Sequence, residues 1–268
     1  MKSYTRLLTI AGSDSGGGAG IQADLKTFSA CGCYGMSAIT ALTAQNTCGV
    51  TAIHPVPVAF LKAQIRAVFD DIGVDAIKIG MLHSVEVIDC VAGLLKEYGC
   101  RRVVLDPVMV ATSGDKLIQD DAVLAMQEQL FPVVDLITPN IPEAELLLDR
   151  TIKNDQQLRD ACRDLASAHT IAVLLKAGHL TGEELQDVLF TPGAMEHIYT
   201  SKRQYTKNTH GTGCTLSSAI AAFWGSGLEL AEAVDRAEAY IRQAIEAGAE
   251  YALGAGHGPV HHFHAIWR

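Results

Sequence analysis

Short apolar runs alternate with amphipathic stretches along most of the chain. The runs are Leu7–Ala11, Ala38–Ala44, Ala76–Ile79, Val103–Leu105, Leu136–Ile137 and Ile171–Leu175. Runs of this kind are typical of strands that are buried on both faces of a parallel sheet. Between them, helical spacing of apolar residues predicts helices around Ile21, Leu25 and Phe28, around Phe60, Ile65 and Val68, and from Val85 to Leu95. The alternation predicts a doubly wound α/β fold with a mostly parallel central sheet.

The C-terminal third of the chain has a different pattern. Apolar residues recur every three or four positions from Leu230 to Ala249, with acidic residues and arginines opposite, which predicts a long amphipathic helix lying on the sheet. Before it, Gln186–Phe190 and His197–Tyr199 predict a short hairpin around Pro192-Gly193. No linker, repeat or low-complexity segment is evident, so we expect residues 1–268 to form a single domain.

Composition and charge narrow the class of partner. Of the 268 residues, 49% are apolar and 19% are charged, which is typical of a folded globular protein, and the apolar runs are too short for a membrane helix. The 21 basic and 30 acidic residues give a net charge of −9, which argues against nucleic acid or an acidic membrane as a partner but is compatible with a small anionic substrate. The seven cysteines, an odd number, and the polar segment Met1–Arg6, which lacks the apolar stretch of a signal peptide, lead us to expect reduced thiols in the cytoplasm.

Polar residues and glycines follow the predicted strands. In chain order they are Gly12–Gly20, Gln45-Asn46, Gly80-Met81, Asp106-Pro107, Thr138–Asn140 with Glu143 one helical turn later, and Lys176. Ligands of open parallel sheets bind beyond the carboxyl ends of the strands, so this edge of the sheet is the expected ligand site. The glycine-rich segment allows close approach of the backbone to a ligand and opens a helix whose first turn holds Asp24. Asp24 is equally compatible with an acid that only complements the helix N-terminus.

The sharpest local motif is Asn208–Cys214, which precedes an apolar helical pattern. Gly211 and Gly213 allow the backbone to turn its N–H groups toward one point, and the helix that begins there adds its positive end, so the motif predicts an anion site. Cys214 lies at that helix N-terminus, where the pKa of a thiol is lowered. The simpler alternative is a tight turn with a buried structural cysteine.

Two carboxylates are candidate ligands for Mg²⁺, either directly or through water. Asp106 and Glu143 follow two of the predicted strands, and Mg²⁺ takes hard oxygen ligands and shares substrate phosphates. Glu143 is equally compatible with an acidic residue of a first helical turn. The tail histidines His257, His261, His262 and His264 form a second cluster, in which His261 and His264 would share one helix face. A zinc site would need more ligands at fixed spacing.

Eight segments in the same order resemble those of one enzyme family. They are Leu8–Asp14, Gly17–Thr27, Ala41–Thr47, Lys78–Leu82, Asp106–Met109, Thr138–Ala144, Asn208–Thr215 and Gly258–His264. Together they cover essentially the whole chain and resemble the hydroxymethylpyrimidine and phosphomethylpyrimidine kinases of thiamine biosynthesis. The resemblance implies a ribokinase-like, three-layer α/β/α fold. It also implies two transfers of phosphate from ATP to 4-amino-5-hydroxymethyl-2-methylpyrimidine, which give the diphosphate.

The resemblance also implies a role for each site residue. Cys214 would be the catalytic base where many ribokinase-like kinases have Asp, and the backbone of Gly211 and Gly213 would stabilise the transferring phosphoryl group. On the substrate side, the pyrimidine would be read by Gln45, packed by Ala19, Met81 and Val108, and held at its polar edge by Asp24. On the nucleotide side, Lys176, Asn140, Thr209 and Thr212 would bind ATP, and Asp106 and Glu143 would organise Mg²⁺.

Two alternatives stay open at this point. A pyridoxal kinase would use the same scaffold, and Gln45 discriminates the two substrates because pyridoxal has a phenolic oxygen where the pyrimidine has an amino group. A non-catalytic pyrimidine-binding sensor is the second alternative, and the presence of Cys214, Asp106 and Glu143 argues against it. The sequence does not fix the oligomeric state, although relatives of this fold are often homodimers.

Overall fold

One mixed sheet joins all the strands of the computed structural model, which describes residues 2–109, 118–193 and 195–267. The strands are β1 (Arg6–Asp14), β2 (Tyr34–Asn46), β3 (Gly49–Pro55), β4 (Ala76–Ile79), β5 (Val103–Leu105), β6 (Leu136–Ile137), β7 (Ala172–Leu175), β8 (Glu184–Thr191) and β9 (Met195–Lys202). Their order across the sheet is β3-β2-β1-β4-β5-β6-β7-β8-β9. Strands β2, β1, β4, β5, β6 and β7 are parallel, while β3, β8 and β9 are added antiparallel at the two edges.

Helices cover both faces of this sheet. They are α1 (Gly20–Ala30), α2 (Val58–Asp71), α3 (Val85–Glu97), α4 (Asp120–Ala125), α5 (Ile141–Leu148), α6 (Asp155–His169), α7 (Thr212–Gly225) and α8 (Leu230–Gly248). Helices α2 to α6 share a core with Leu8 and Ile10, whereas α1, α7 and α8 share a core with Leu7, which points to the opposite face of β1. The predicted three-layer α/β/α sandwich with a mostly parallel sheet is therefore confirmed.

The topology fixes where a ligand can bind. Strand β1 lies between β2 and β4, so the chain winds to one side of β1 first and then to the other. The carboxyl ends of strands at such a switch point leave a crevice between the diverging connections. Among the described residues, no helix combines the length and the apolar character that a bilayer crossing requires.

The strands that the sequence predicts best are those buried on both faces. Strands β4, β5 and β6 have the predicted bounds. Strand β1 continues beyond the prediction because the polar residues Ser13 and Asp14 pair with Leu42 and Thr43 of β2. The hairpin and the long last helix are also confirmed, with β8 and β9 longer than expected.

Three details of the sequence interpretation are wrong. Strand β3 was not expected, because its residues 51–55 are exposed and give no buried run. Phe60 is 62% exposed, and Leu61 takes the buried position on α2 instead. His261 and His264 do not lie on a helix, because residues 262–266 form a series of turns.

Candidate active site

The carboxyl ends of the parallel strands open into a cleft of about 690 Å³. Every site residue that the sequence predicts lines this cleft except Asp24. Those that line it are Ala19, Gln45, Met81, Asp106, Val108, Asn140, Glu143, Lys176, Thr209, Gly211, Thr212, Gly213 and Cys214. The structure therefore brings together residues from seven separate segments of the chain.

The N-terminus of α7 forms one wall of the cleft. Gly211 precedes the helix with a φ of +80°, and a Cβ atom at this position would collide with the carbonyl oxygen of Gly18. Only glycine allows this backbone conformation and this close contact together. The helix begins at Thr212, so the first-turn N–H groups and the positive end of the helix lie at the cleft. The predicted anion site thus has the expected geometry.

Hydrogen bonds that could not be predicted from the sequence hold the glycine-rich segment against this wall. The Asp14 carboxylate accepts hydrogen bonds from the N–H groups of Gly16, Gly18 and Ala19 at 2.7 to 3.0 Å. Its Oδ2 atom also lies 2.9 Å from Nε2 of His210. Although burial acts in the opposite direction, these bonds lower the pKa of Asp14. Asp14 and His210 thereby fix the backbone of the two glycine segments relative to each other.

One end of the cleft is formed around Gln45. Its side-chain oxygen lies 3.0 Å from the hydroxyl of Thr43, and its Nε2 lies 3.5 Å from Nε2 of His210. Met81 lies over Gly12, where a Cβ atom would press against its methyl group. Gln45, Met81, Ala19 and Val108 line the same cleft, which gives it apolar surfaces and one amide able to donate and accept hydrogen bonds.

Opposite α7, the cleft carries an ion pair. Nζ of Lys176 lies 3.0 Å from Oδ1 of Asp106, which also accepts a hydrogen bond of 3.1 Å from the hydroxyl of Thr138. Burial opposes the charge on Lys176, but Asp106 and Glu143 raise its pKa. Both Nζ of Lys176 and Oδ2 of Asp106 lie next to Gly213. A fixed cation and a carboxylate oxygen therefore face the same helix N-terminus.

Glu143 is an acidic residue of a first helical turn, which is one of the two interpretations that the sequence left open, and its role as a Mg²⁺ ligand stays a prediction. It forms a capping box with Asn140: the Glu143 carboxylate accepts from the Asn140 N–H at 2.9 Å, and the Asn140 side chain accepts from the Glu143 N–H at 3.0 Å. Glu143 also lines the cleft and is nearly fully buried. Burial raises the pKa of Glu143 to about 7, despite the nearby charge of Lys176.

The expectation that the helix N-terminus lowers the pKa of Cys214 is wrong. Burial raises the pKa of the Cys214 thiol to about 11, although Lys78 acts in the opposite direction. Asp24 and Asp106 raise it further through their charges. The thiol is therefore protonated at neutral pH, and partial exposure to the cleft leaves it accessible to a substrate.

Asp24 does not have the predicted place at the substrate. Its carboxylate is fully buried, accepts hydrogen bonds from Thr9 at 2.6 Å and Ser218 at 2.7 Å, and forms an ion pair with Lys78. It also lies in the second turn of α1 rather than the first. Lys78 itself lines the cleft, and the sequence analysis did not predict it as a site residue. A lysine within the apolar run of β4 does not show which distant residue in the chain is its counter-ion.

Beyond Lys176 the cleft continues as an arm between the β8–β9 hairpin and α8. We call this the hairpin arm; its lining includes Leu185, Asp187, Ser201, Arg203, Leu216, Glu238, Ile241, Arg242 and Ile245. Its apolar residues offer a flat base a surface to pack against, and Arg203 and Arg242 add positive charge. The sequence interpretation had placed no ligand between these two elements.

A doubly wound α/β sandwich with a helix N-terminus facing a lysine and two carboxylates defines the class of ribokinase-like small-molecule kinases. The pattern of one family, described as phosphomethylpyrimidine kinase, matches residues 14–261. The chain belongs to that family, and the class of enzyme is a phosphotransferase.

Individual relatives are similar over nearly the whole chain. The hydroxymethylpyrimidine/phosphomethylpyrimidine kinase of Rhizobium meliloti is 50% identical over 97% of this chain and 98% of its own length. The thiamine biosynthesis bifunctional protein ThiED of Geobacter sulfurreducens is 54% identical over 96% of this chain, which spans about half (52%) of that longer protein. Among solved structures, the ADP complex of Bacillus subtilis pyridoxal kinase is 36% identical, with a TM-score of 0.90 over 99% of this chain and 100% of that one. The phosphomethylpyrimidine kinase of Clostridium difficile is 44% identical, with a TM-score of 0.80 over 90% and 99% of the two chains.

Proposed function

We propose that this chain transfers phosphate from ATP to the hydroxymethyl group of 4-amino-5-hydroxymethyl-2-methylpyrimidine, and then to the monophosphate, as one domain in thiamine biosynthesis. The observation that carries the proposal is the position of α7. Its N-terminus, with Cys214, lies between the Gln45 end of the cleft and the Lys176 end. One anion site therefore faces both a pocket for a flat, polar ring and a pocket for nucleotide phosphates.

The substrate side suits an aminopyrimidine. The Gln45 amide has a donor and an acceptor side by side, which match the amino group and the adjacent ring nitrogen of the pyrimidine. Ala19, Met81 and Val108 would contact the faces of the ring. Cys214 would accept the proton of the hydroxymethyl group as its oxygen forms the bond to the γ-phosphorus of ATP and the bond from that phosphorus to ADP, the leaving group, breaks. Because its thiol is protonated at neutral pH, this step would require prior loss of the thiol proton to solvent.

The nucleotide side suits a triphosphate. Lys176 would neutralise charge on the phosphates, and the backbone of Gly211 and Gly213 would stabilise the charge that develops on the transferring group. Asn140, Thr209 and Thr212 line the same region and would bind the nucleotide through their polar side chains. The adenosine would extend into the hairpin arm. The chemistry is mainly positioning and electrostatics, which is typical of phosphoryl transfer.

Magnesium fits two of these residues. Oδ2 of Asp106 faces the helix N-terminus while Oδ1 is bound by Lys176 and Thr138, and the Glu143 carboxylate lies in the same part of the cleft. Among the described residues, no group of three or more His, Cys, Asp or Glu side chains is placed to hold a metal. Two carboxylates suit an ion that also takes water and phosphate oxygens. When bound, Mg²⁺ would neutralise phosphate charge during transfer.

The test is a coupled assay of ATP consumption with four acceptors: hydroxymethylpyrimidine, its monophosphate, pyridoxal and ribose. We expect turnover with the first two and none with ribose. Turnover with neither pyrimidine would overturn the proposal. Product analysis by mass spectrometry separates true phosphoryl transfer from uncoupled ATP hydrolysis.

Pyridoxal kinase activity is the second candidate. The observation in its favour is the TM-score of 0.90 with Bacillus subtilis pyridoxal kinase. The acceptor assay decides, because a pyridoxal kinase would show a higher kcat/KM with pyridoxal than with either pyrimidine. A non-catalytic sensor has no support, since the chain belongs to a kinase family.

We further propose that the chain acts in the cytoplasm, where ATP and reduced thiols are available, and that it forms a homodimer. Strand β3 lies at an edge of the sheet, with residues 51–55 exposed, and an open edge can pair with another chain. Light scattering after size exclusion gives the mass directly. Ile53→Lys, on this edge, should reduce the dimer fraction.

A further inference from the structure

The segment Gly258–His264, which contains most of the tail histidines, has no part in the roles above. It lies between the start of α7 and the end of α8. The N–H of His210 donates to the carbonyl of Gly258 at 3.0 Å, and the N–H of His261 donates to the carbonyl of Ala244 at 2.9 Å. This segment therefore connects the residues that precede α7 with the last turns of α8.

His262 is the residue of this segment whose side chain reaches α7. The side chain is buried, and its Nε2 atom lies 3.1 Å from the hydroxyl of Thr215, with which it forms a hydrogen bond. From α8, the Tyr240 hydroxyl donates to the carbonyl of His262 at 2.6 Å. Burial lowers the pKa of His262 to about 3, so the imidazole is neutral at physiological pH. His262 therefore joins α8 to α7 through hydrogen bonds and not through charge.

Thr215 closes the first turn of α7. Its N–H donates to the carbonyl of Gly211 at 2.9 Å, and it directly follows Cys214 in the chain. Its side chain is fully buried, so the bond to His262 is formed away from solvent. A shift of Thr215 would move the first-turn N–H groups that lie at the cleft, because those groups belong to the same turn.

We propose that His262 is a positioning residue for phosphoryl transfer: its hydrogen bond with Thr215 holds the first turn of α7 where the N–H groups face the transferring phosphate. The inference rests on the proposed function, in which this helix N-terminus stabilises the transition state. The His262 side chain does not itself line the cleft. Stabilisation of charge that develops only in the transition state acts on kcat and not on the binding of the acceptor.

The kinetics of His262→Leu with hydroxymethylpyrimidine and with its monophosphate test this. Leucine fills much of the imidazole volume but cannot form the bond to Thr215. We expect kcat to fall by about 10- to 100-fold, since a misplacement of about 1 Å costs up to about 100-fold, while the KM for hydroxymethylpyrimidine stays near the wild-type value. The matched control is His257→Leu, which changes an exposed histidine nearby in the chain and should keep the wild-type rate.

The monophosphate reaction separates His262 from Cys214. Its nucleophile is already ionised at neutral pH and needs no base, so the loss of a base alone would spare this step. A displaced helix N-terminus would slow it, because the charge on the transferring phosphoryl group is stabilised in both steps. We therefore expect His262→Leu to lower the kcat of both phosphorylations.

A double variant separates positioning from stability. His262→Leu leaves the buried Thr215 hydroxyl without its partner and should lower the melting temperature, and Thr215→Val should do the same to the His262 ring. Replacement of both partners by apolar groups removes the unsatisfied group, so the double variant should regain most of the lost stability. Its kcat should stay low because the bond is absent. Thr215→Ser, which keeps the hydroxyl, should lose far less rate than Thr215→Val.

Three outcomes would overturn the inference: an equal kcat for His262→Leu and His257→Leu, an unchanged monophosphate reaction in His262→Leu, or a double variant whose kcat recovers together with its melting temperature. In each case the wild type still phosphorylates the pyrimidine, so the proposed function stands. Absence of turnover in the wild type would overturn both proposals. Melting curves by circular dichroism set an assay temperature at which every variant is folded. If a single variant does not fold, the kcat of the double variant relative to the wild type decides.

Discussion

Lys78 and Asp24 form an ion pair of 2.9 Å that is fully buried beneath the cleft. Two further donors, Thr9 and Ser218, complete the hydrogen bonds of the carboxylate. The attraction between Asp24 and Lys78 outweighs the burial of Lys78, so the pKa of Lys78 is raised and the lysine stays charged. On the side of Asp24, burial outweighs the same attraction and raises the pKa of the carboxyl group. A fixed positive charge therefore lies within electrostatic range of Cys214 and Asp106. Asp24 therefore contacts Lys78 and does not itself line the cleft.

Asp24→Asn should lower the free energy of unfolding by about 3–5 kcal/mol, because it leaves the Lys78 charge buried without a counter-ion. Urea denaturation followed by circular dichroism measures the change. The KM for hydroxymethylpyrimidine should stay near the wild-type value at a temperature where the variant is folded. If the variant had wild-type stability and a much higher KM for hydroxymethylpyrimidine, the result would contradict this prediction and indicate that Asp24 contacts the substrate.

The matched control for this variant is Glu97→Gln. It breaks the ion pair of Arg66 and Glu97, whose N and O atoms are 2.7 Å apart but whose side chains are 42% and 47% exposed. Exposed pairs contribute at most about 1 kcal/mol because water and salt screen them. The contrast between the two variants isolates the effect of burial.

Gln45→Met should raise the KM for hydroxymethylpyrimidine and leave the KM for ATP unchanged. The loss of a buried pair of hydrogen bonds to the ring costs about 1–3 kcal/mol, or roughly five- to 150-fold in affinity. Steady-state kinetics with each substrate varied in turn give both constants. Gln156→Met, on the exposed surface of α6, serves as the control. An unchanged pyrimidine KM would remove Gln45 as the residue that reads the base.

Glu143→Gln should require a much higher Mg²⁺ concentration for half-maximal rate. In the wild type this requirement should rise as pH falls through about 7, because a protonated Glu143 no longer offers a carboxylate to the metal. The variant should lack that titration, while Glu128→Gln, an exposed residue, should retain it. Magnesium titrations from pH 6 to 8 give the half-saturating concentrations. Curves that overlay for Glu143→Gln and the wild type would exclude Glu143 from the metal site.

The strands that could be predicted are those with a simple burial pattern. Strand β5 is buried on both faces, so an apolar run identified it with its bounds. Strand β3 is largely exposed and is stabilised by its pairing with β2. Its residues therefore show no hydrophobic pattern from which a strand could be predicted. Because the carboxyl ends of β4, β5, β6 and β7 were predicted correctly, the rule that ligands bind beyond strand ends identified most of the cleft.

The interactions that escaped prediction join residues that are distant in sequence. Asp14 and His210 are 196 positions apart, and the sequence around either residue does not indicate that the two interact. Asp24 is 54 positions from Lys78, so its sequence context showed only an acid near a helix N-terminus. The predicted direction of the Cys214 pKa shift was wrong for a related reason. The helix N-terminus can be predicted from the sequence, whereas the burial that dominates the pKa of the thiol arises from tertiary packing.

Cys214→Ala should slow the first phosphorylation by about 10²–10⁴-fold and the second far less, because the two nucleophiles differ in their need for a base. The first is an alcohol that must lose its proton, whereas the second is a phosphate monoester with a second pKa near about 6 that is already ionised at neutral pH. Cys214→Ser should resemble the alanine variant, since a serine hydroxyl is too weak a base. In the wild type only the first step should accelerate as pH rises toward the thiol pKa of about 11. Rates measured separately with the alcohol and the monophosphate test this, with the exposed Cys48→Ala as control. Equal losses in both steps would show that Cys214 positions the helix or the phosphoryl group and is not a base.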